Sequence, residues 1–137
     1  MFIMPTSTEL INWKSKSLEL LLGCGFTERM SPHSEMTYQP FKIYESYSKS
    51  TIKNTKSGSI IYLVIRTGNR TSKLYSEPTI YRSLIEQLAH LVTPTALNDG
   101  IKSSQYYTNL DKLTAYAKSR GWYDPFSVHD SKYPNSI

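Results

Sequence analysis

The stretch Ser59-Ile60-Ile61-Tyr62-Leu63-Val64-Ile65-Arg66 decides the fold class. Its apolar run is too short for an ordinary helix and is made of β-branched, aromatic and aliphatic residues, which suit a pleated, buried surface. It is therefore expected to be a strand at the centre of a sheet. Downstream, Thr67-Gly68-Asn69-Arg70 has the composition of a tight hairpin turn, so Thr71-Ser72-Lys73-Leu74-Tyr75 is expected to return antiparallel. Upstream, Phe41-Lys42-Ile43-Tyr44-Glu45-Ser46-Tyr47 alternates, with Phe41 and Ile43 on one side and Lys42 and Tyr44 on the other. Ser48 to Ser57 is polar and dotted with lysine, and is expected to be a connection.

Helices flank these strands. Thr6-Ser7-Thr8-Glu9 has capping-box spacing and opens a helix over about residues 7–23, with Leu10, Ile11, Leu18, Leu21 and Leu22 as its apolar stripe. Gly23 and Gly25 supply stop signals. Ser76-Glu77-Pro78 opens a second helix with a capping serine and a proline where no N–H is missed. Ile80, Leu84, Leu88 and Leu91 form one row there and Tyr81, Ile85, Ala89 and Val92 the next. A helical turn is expected from Pro94 to Asn98, and a third helix over about 110–120, capped by Thr108 or Asn109 and closed by Gly121. The expectation is one α+β domain over residues 1–137, in the order α-β-β-β-α-α. Its sheet is a three-stranded antiparallel meander with three helices packed on it, and its tail is irregular from about residue 123.

Charge is unevenly distributed. The chain has 137 residues and a net charge of +5. Residues 40–75 hold seven cations (Lys42, Lys49, Lys53, Lys56, Arg66, Arg70 and Lys73) against Glu45 alone, while the segments on either side are close to neutral. With Gly68 and Asn69 as turn residues, Arg66 faces Thr71, Val64 faces Lys73, and Tyr62 faces Tyr75. One sheet face then carries Ile61, Leu63, Ile65 and Leu74 as core. The other carries Tyr62, Val64, Arg66, Lys73 and Tyr75, joined by Lys42 and Tyr44. Interleaved tyrosines and cations suit nucleic acid, because rings stack on bases while Lys and Arg neutralise phosphates. The expected contact set is Lys42, Tyr44, Lys53, Lys56, Tyr62, Arg66, Arg70, Lys73 and Tyr75. The same residue types also furnish an ordinary half-exposed β-surface, and a loop one residue longer would shift the pairing and exchange the faces.

A second reading rests on Tyr106, Tyr107, Trp122, Tyr123 and Phe126, an aromatic set suited to protein contact in an accessory, adaptor or inhibitor subunit. Enzymatic chemistry ranks third. The strands lack the Asp/Glu-x-Lys triplet of PD-(D/E)xK nucleases, and Cys24 between glycines reads as a small buried residue near a helix end. His33, His90 and His129 share no ligand spacing, so neither metal nor cofactor is expected. The α-β-β-β-α order resembles the double-stranded RNA-binding domain in outline. That family opens its last helix with a lysine-rich cluster, where this chain has Ser76-Glu77-Pro78-Thr79-Ile80, so membership is not assigned. One cysteine, no apolar run of membrane-spanning length and no signal-peptide pattern at Met1-Phe2-Ile3-Met4-Pro5 give the expectation of a cytoplasmic protein that does not enter membranes.

Overall fold

A computed structural model describes residues 8–28, 37–67, 73–93, 104–127 and 133. Among the described residues the chain is α+β, with three principal helices and two small sheets. Helix α1 spans Thr8–Gly23 and buries Leu10, Trp13, Ser17, Leu20 and Leu21. The stripe expected from sequence divides: Leu10 and Leu21 face the core, whereas Ile11, Leu18 and Leu22 face solvent. At 100° per residue, these two sets lie on different sides of the helix. Its stop is Gly25, at φ 86°. There the Phe26 N–H reaches Leu21 O (2.8 Å) and the Gly25 N–H reaches Leu22 O (3.0 Å), a Schellman closure that seats Phe26 in the core.

Two short strands, β1 (Thr27–Glu28) and β2 (Thr37–Tyr38), pair in parallel. The main sheet holds β3 (Phe41–Glu45), β4 (Thr51–Thr55) and β5 (Gly58–Leu63), ordered β3-β5-β4. The antiparallel meander is not what forms. Strand β5 lies between the other two, parallel to β3 and antiparallel to β4. Strand β4 falls within the polar stretch expected to be a connection. An edge strand with one side in water needs little apolar content, and here only Ile52 packs against the core. The hairpin turn is consequently Lys56-Ser57, which joins β4 to β5.

Helix α2 (Glu77–Val92) buries both expected rows along most of its length. Ser76 occupies its N-cap with extended dihedrals, but its hydroxyl meets that of Thr79 (2.9 Å) and makes no side-chain cap bond. Helix α3 spans Ser104–Ser119, beginning well before the expected cap at 108–109. Asn109 is instead buried inside it. Its amide donates to Thr93 Oγ1 (3.1 Å) and its carbonyl oxygen accepts from Gln105 (3.0 Å), so tertiary partners replace the capping role. Gly121, at φ 75°, closes α3 as expected, with Trp122 N–H on Ala117 O (3.0 Å).

The helices pack on one side of the main sheet. Phe41 and Ile43 of β3 and Ile61 and Leu63 of β5 join Leu20, Leu84, Leu88, Tyr106 and Leu113 in one buried cluster. Full burial of a side chain such as Ile61 or Leu63 contributes about 1.5–3 kcal/mol. Lys14 of α1 hydrogen-bonds the Phe41 carbonyl and sits 3.5 Å from the centre of its ring, fixing helix to strand. Tyr123 is buried and Pro125–Ser127 form a 3-10 turn, so the tail is partly ordered. The helical turn expected at Pro94–Asn98 lies outside the described residues, as do Thr6, Ser7, His33 and His129.

Candidate nucleic-acid interface

The register of β3, β5 and β4 defines the sheet's second face. Lys42, Ile60 and Lys53 are paired across the three strands and form one row. Two positions along, Tyr44, Tyr62 and Thr51 form the next. Burial alternates along β3 and β5, placing the first-named core residues inward and these rows outward. Lys42 and Lys53 are exposed, Tyr44 is 42% exposed, and Ile60 and Tyr62 are half-buried. The Tyr44 and Tyr62 rings lie 6.2 Å apart, tilted by 53°. Lys56, in the β4–β5 turn, is exposed at one end of this face.

The turn holds its shape through Gly58, at φ 153°, where a Cβ would stand 2.7 Å from the Pro40 carbonyl oxygen. That oxygen accepts the Ser59 N–H (2.8 Å), so the close approach ties β3 to β5 where the ladder begins. The Thr55 hydroxyl donates to Gly58 O (2.7 Å). Inward, Ser59 donates to Asn54 Oδ1 (2.7 Å) and accepts from Gln39 (2.8 Å), which satisfies the polar groups under that end.

No carboxylate sits in the outer rows. Glu45, the only acid of residues 40–75, is paired in register with Leu63 on the core side. There Arg66 Nε meets it at 3.1 Å while Arg66 Nη2 reaches Glu9 of α1 at 3.6 Å. Burial pushes the Glu45 carboxyl above its ordinary value; Arg66 and a hydrogen bond from Tyr47 oppose that, and Glu9 adds to it. Arg66 is therefore held between two acids at the sheet's end and is only 18% exposed.

The expected Arg66–Thr71, Val64–Lys73 and Tyr62–Tyr75 register is replaced by a bridge between Arg66 and Leu74. Thr67 N–H donates to Lys73 O (3.0 Å) and Tyr75 N–H to Ile65 O (2.9 Å). The pairing has slipped by three residues, an odd number, which exchanges the faces. Leu74, expected in the core, is 40% exposed, whereas Val64, expected on the outer face, is buried. The ladder ends at Leu63 because Val64 bonds elsewhere. Its N–H donates to Ser50 Oγ (2.9 Å) and its carbonyl accepts from the Tyr133 hydroxyl (2.7 Å). Tyr75 packs edge-on against Tyr133 at 4.8 Å, and Lys73 is exposed on that same returning segment. Of the nine expected contact residues, Lys42, Tyr44, Lys53 and Tyr62 thus share the outer face and Lys56 borders it. Arg66, Lys73 and Tyr75 lie beyond the ladder's end, and Arg70 is outside the described residues. Thr51 completes the tyrosine row, and sequence reasoning missed it along with β4. The Thr51-Ile52-Lys53 alternation before Lys56-Ser57-Gly58 was the available signal.

The aromatic set of the C-terminal third does not converge. Tyr106 is buried against His90 (4.4 Å), which is itself half-buried. Tyr107 is exposed one residue on. Trp122, Tyr123 and Phe126 lie past the other end of α3, which separates them from Tyr107 by about 18 Å of helix at 1.5 Å per residue. Trp122 is flanked by Lys16 (4.3 Å) and Arg120 (5.5 Å), Tyr123 is buried, and Phe126 is 86% exposed. Pro78, Lys118, Trp122, Asp124 and Phe126 line part of an open cleft of about 520 Å³ there.

Burial pushes the Cys24 thiol up, with Lys112 partly opposing, which is the direction away from a reactive thiolate. Among the described residues, no group of three His, Cys, Asp or Glu is placed to hold a metal ion, and no helix is long and apolar enough to cross a membrane. No family model, curated protein or solved structure matches the chain.

Proposed function

We propose that this chain is a non-enzymatic nucleic-acid-binding protein whose contact surface is the outer face of the β3-β5-β4 sheet. The observation that carries this reading is the sorting of charge by face. Lys42, Lys53 and the bordering Lys56 stand with Tyr44 and Tyr62, while Glu45 is turned to the other side and occupied by Arg66. Such a face attracts phosphates without repulsion from a carboxylate in its own rows. The test is affinity for nucleic acid as a function of salt. Log affinity should fall linearly with log salt, and Lys42→Ala or Lys53→Ala should each reduce the slope by about 0.7–0.9. Binding that is absent, or indifferent to salt, refutes the proposal.

A protein-contact reading draws support from Phe126, the most exposed of the large apolar side chains among the described residues, beside the cleft at Trp122. Under that reading the chain is an accessory subunit, and Phe126→Ala releases a co-purifying partner while Lys42→Ala does not.

A further inference from the structure

We infer that the ligand of the outer sheet face is a single strand laid across the β-strands, two successive bases resting on Tyr44 and Tyr62 and the phosphates following the Lys42–Lys53 row. The inference rests on the nucleic-acid reading above and specifies its ligand.

Three features lead to it. First, the tyrosines stand on adjacent strands in direct register, so their rings form a pair running across the sheet. Bases in a duplex hide their faces against one another; only an unstacked single strand offers them to a protein ring. Second, the rows run in one direction. Neighbouring strands are about 4.8 Å apart, so Lys42 and Lys53 on the two edge strands stand roughly 10 Å apart, with the tyrosine row about 6.7 Å further along. A nucleotide carries its base and its phosphate on opposite sides of the sugar. A strand crossing the sheet therefore sets its bases over one row and its phosphates over the other. A strand running along β5 would meet one ring, then Ile60, with no second platform. Third, the tyrosine row ends at Thr51, so the platform holds two bases. Ile60 lies between the lysines in the same row, an apolar neighbour of the kind that lysine stems lie along while the ammonium groups stay in water.

The same rows indicate how selective the site is. Reading a base edge needs amide, guanidinium or carboxylate groups in fixed positions. The outer rows hold none of these; their polar side-chain groups are the two lysine ammonium groups and the hydroxyls of Tyr44, Tyr62 and Thr51. The Thr55 hydroxyl is committed to Gly58 O at 2.7 Å. The site therefore tolerates sequence and binds by stacking and charge.

The experiment is fluorescence anisotropy of the full chain with a labelled ten-nucleotide oligo-dT, alone and annealed to its complement, at one low salt concentration. The single strand should bind at least about tenfold more tightly than the duplex. Tyr44→Ala and Tyr62→Ala should each weaken it by about 5- to 150-fold, the range for losing one base–ring stack. Tyr44→Phe and Tyr62→Phe, which keep the ring, should restore binding, and circular dichroism of every variant separates lost contact from lost fold. Equal or tighter binding of the duplex, or tyrosine truncations without effect where Lys42→Ala and Lys53→Ala weaken binding, overturns the single-strand inference but leaves the nucleic-acid reading standing. Failure of both probes to bind overturns both.

Discussion

Replacing Gly58 by alanine tests the geometry that positions the outer face. The new Cβ would lie 2.7 Å from the Pro40 carbonyl oxygen, a backbone atom with no torsion of its own to turn aside. Relieving the clash moves Pro40 away from β5 and breaks the Ser59 N–H to Pro40 O bond of 2.8 Å. Losing that bond costs about 0.5–1.5 kcal/mol, and a non-glycine residue at a φ of 153° adds roughly 1–3. The sum is about 2–4 kcal/mol, a large part of a typical stability of 5–15. For a chain of this length it lowers Tm by roughly 6–15 °C. Gly121→Ala is the internal control. It also sits at positive φ (75°) but has no atom within 4 Å of the new Cβ, so it bears only the conformational cost of about 1–2 kcal/mol. Thermal and urea unfolding, followed by circular dichroism, should show the Gly58 variant clearly less stable than the Gly121 variant. Equal losses, or a Gly58→Ala loss under about 1 kcal/mol, would refute the close approach of β3 and β5 at this point.

Two further outcomes follow from the ends of the sheet. Tyr133→Phe removes the hydroxyl that donates to Val64 O and lies 2.9 Å from Ser50 Oγ, so urea unfolding should show a loss of about 1–3 kcal/mol; an unchanged midpoint contradicts the bridge. Glu45 has a folded-state pKa above its ordinary value of 4.5, so the folded chain holds its proton more tightly than the unfolded one. Its contribution to stability then falls as pH rises from the ordinary carboxylate range through the raised value. Urea midpoints of the natural chain minus those of Glu45→Gln should decline as pH rises out of the ordinary carboxylate range. A difference that grows with pH reverses the sign and contradicts the burial of that carboxyl.

Elements whose signal is local were legible in the sequence. The two rows of α2 appear as expected, because apolar residues at helical spacing over four turns leave little ambiguity. Gly121 closes α3 for the reason its sequence context suggests, and Ile61 and Leu63 are buried as the strand pattern requires. What was not legible depends on partners distant in sequence. Thr51–Thr55 forms a strand because β5 offers it an open edge, not because its own residues demand one. Asn109 sits within a helix because Thr93 and Gln105 satisfy its amide. The returning segment is held in its slipped register by the Thr67–Lys73 and Tyr75–Ile65 backbone bonds, which the local residue pattern does not specify. For the site, alternation alone placed Lys42 and Tyr44 outward, since a strand's faces follow from its period of two. Arg66 was misplaced because β5 ends at Leu63, so the alternation along that strand does not carry on to it; the odd-numbered slip exchanges the faces of the returning Lys73, Leu74 and Tyr75.

The location of the contact surface is the central claim, and amide chemical-shift mapping tests it most directly. The full chain, labelled with ¹⁵N, would be titrated with ten-nucleotide oligo-dT at low salt. The account predicts saturable shifts concentrated at Lys42, Tyr44, Lys53, Ile60 and Tyr62, diminishing on addition of salt. Shifts centred on Trp122 to Phe126, or none at any residue, would contradict it.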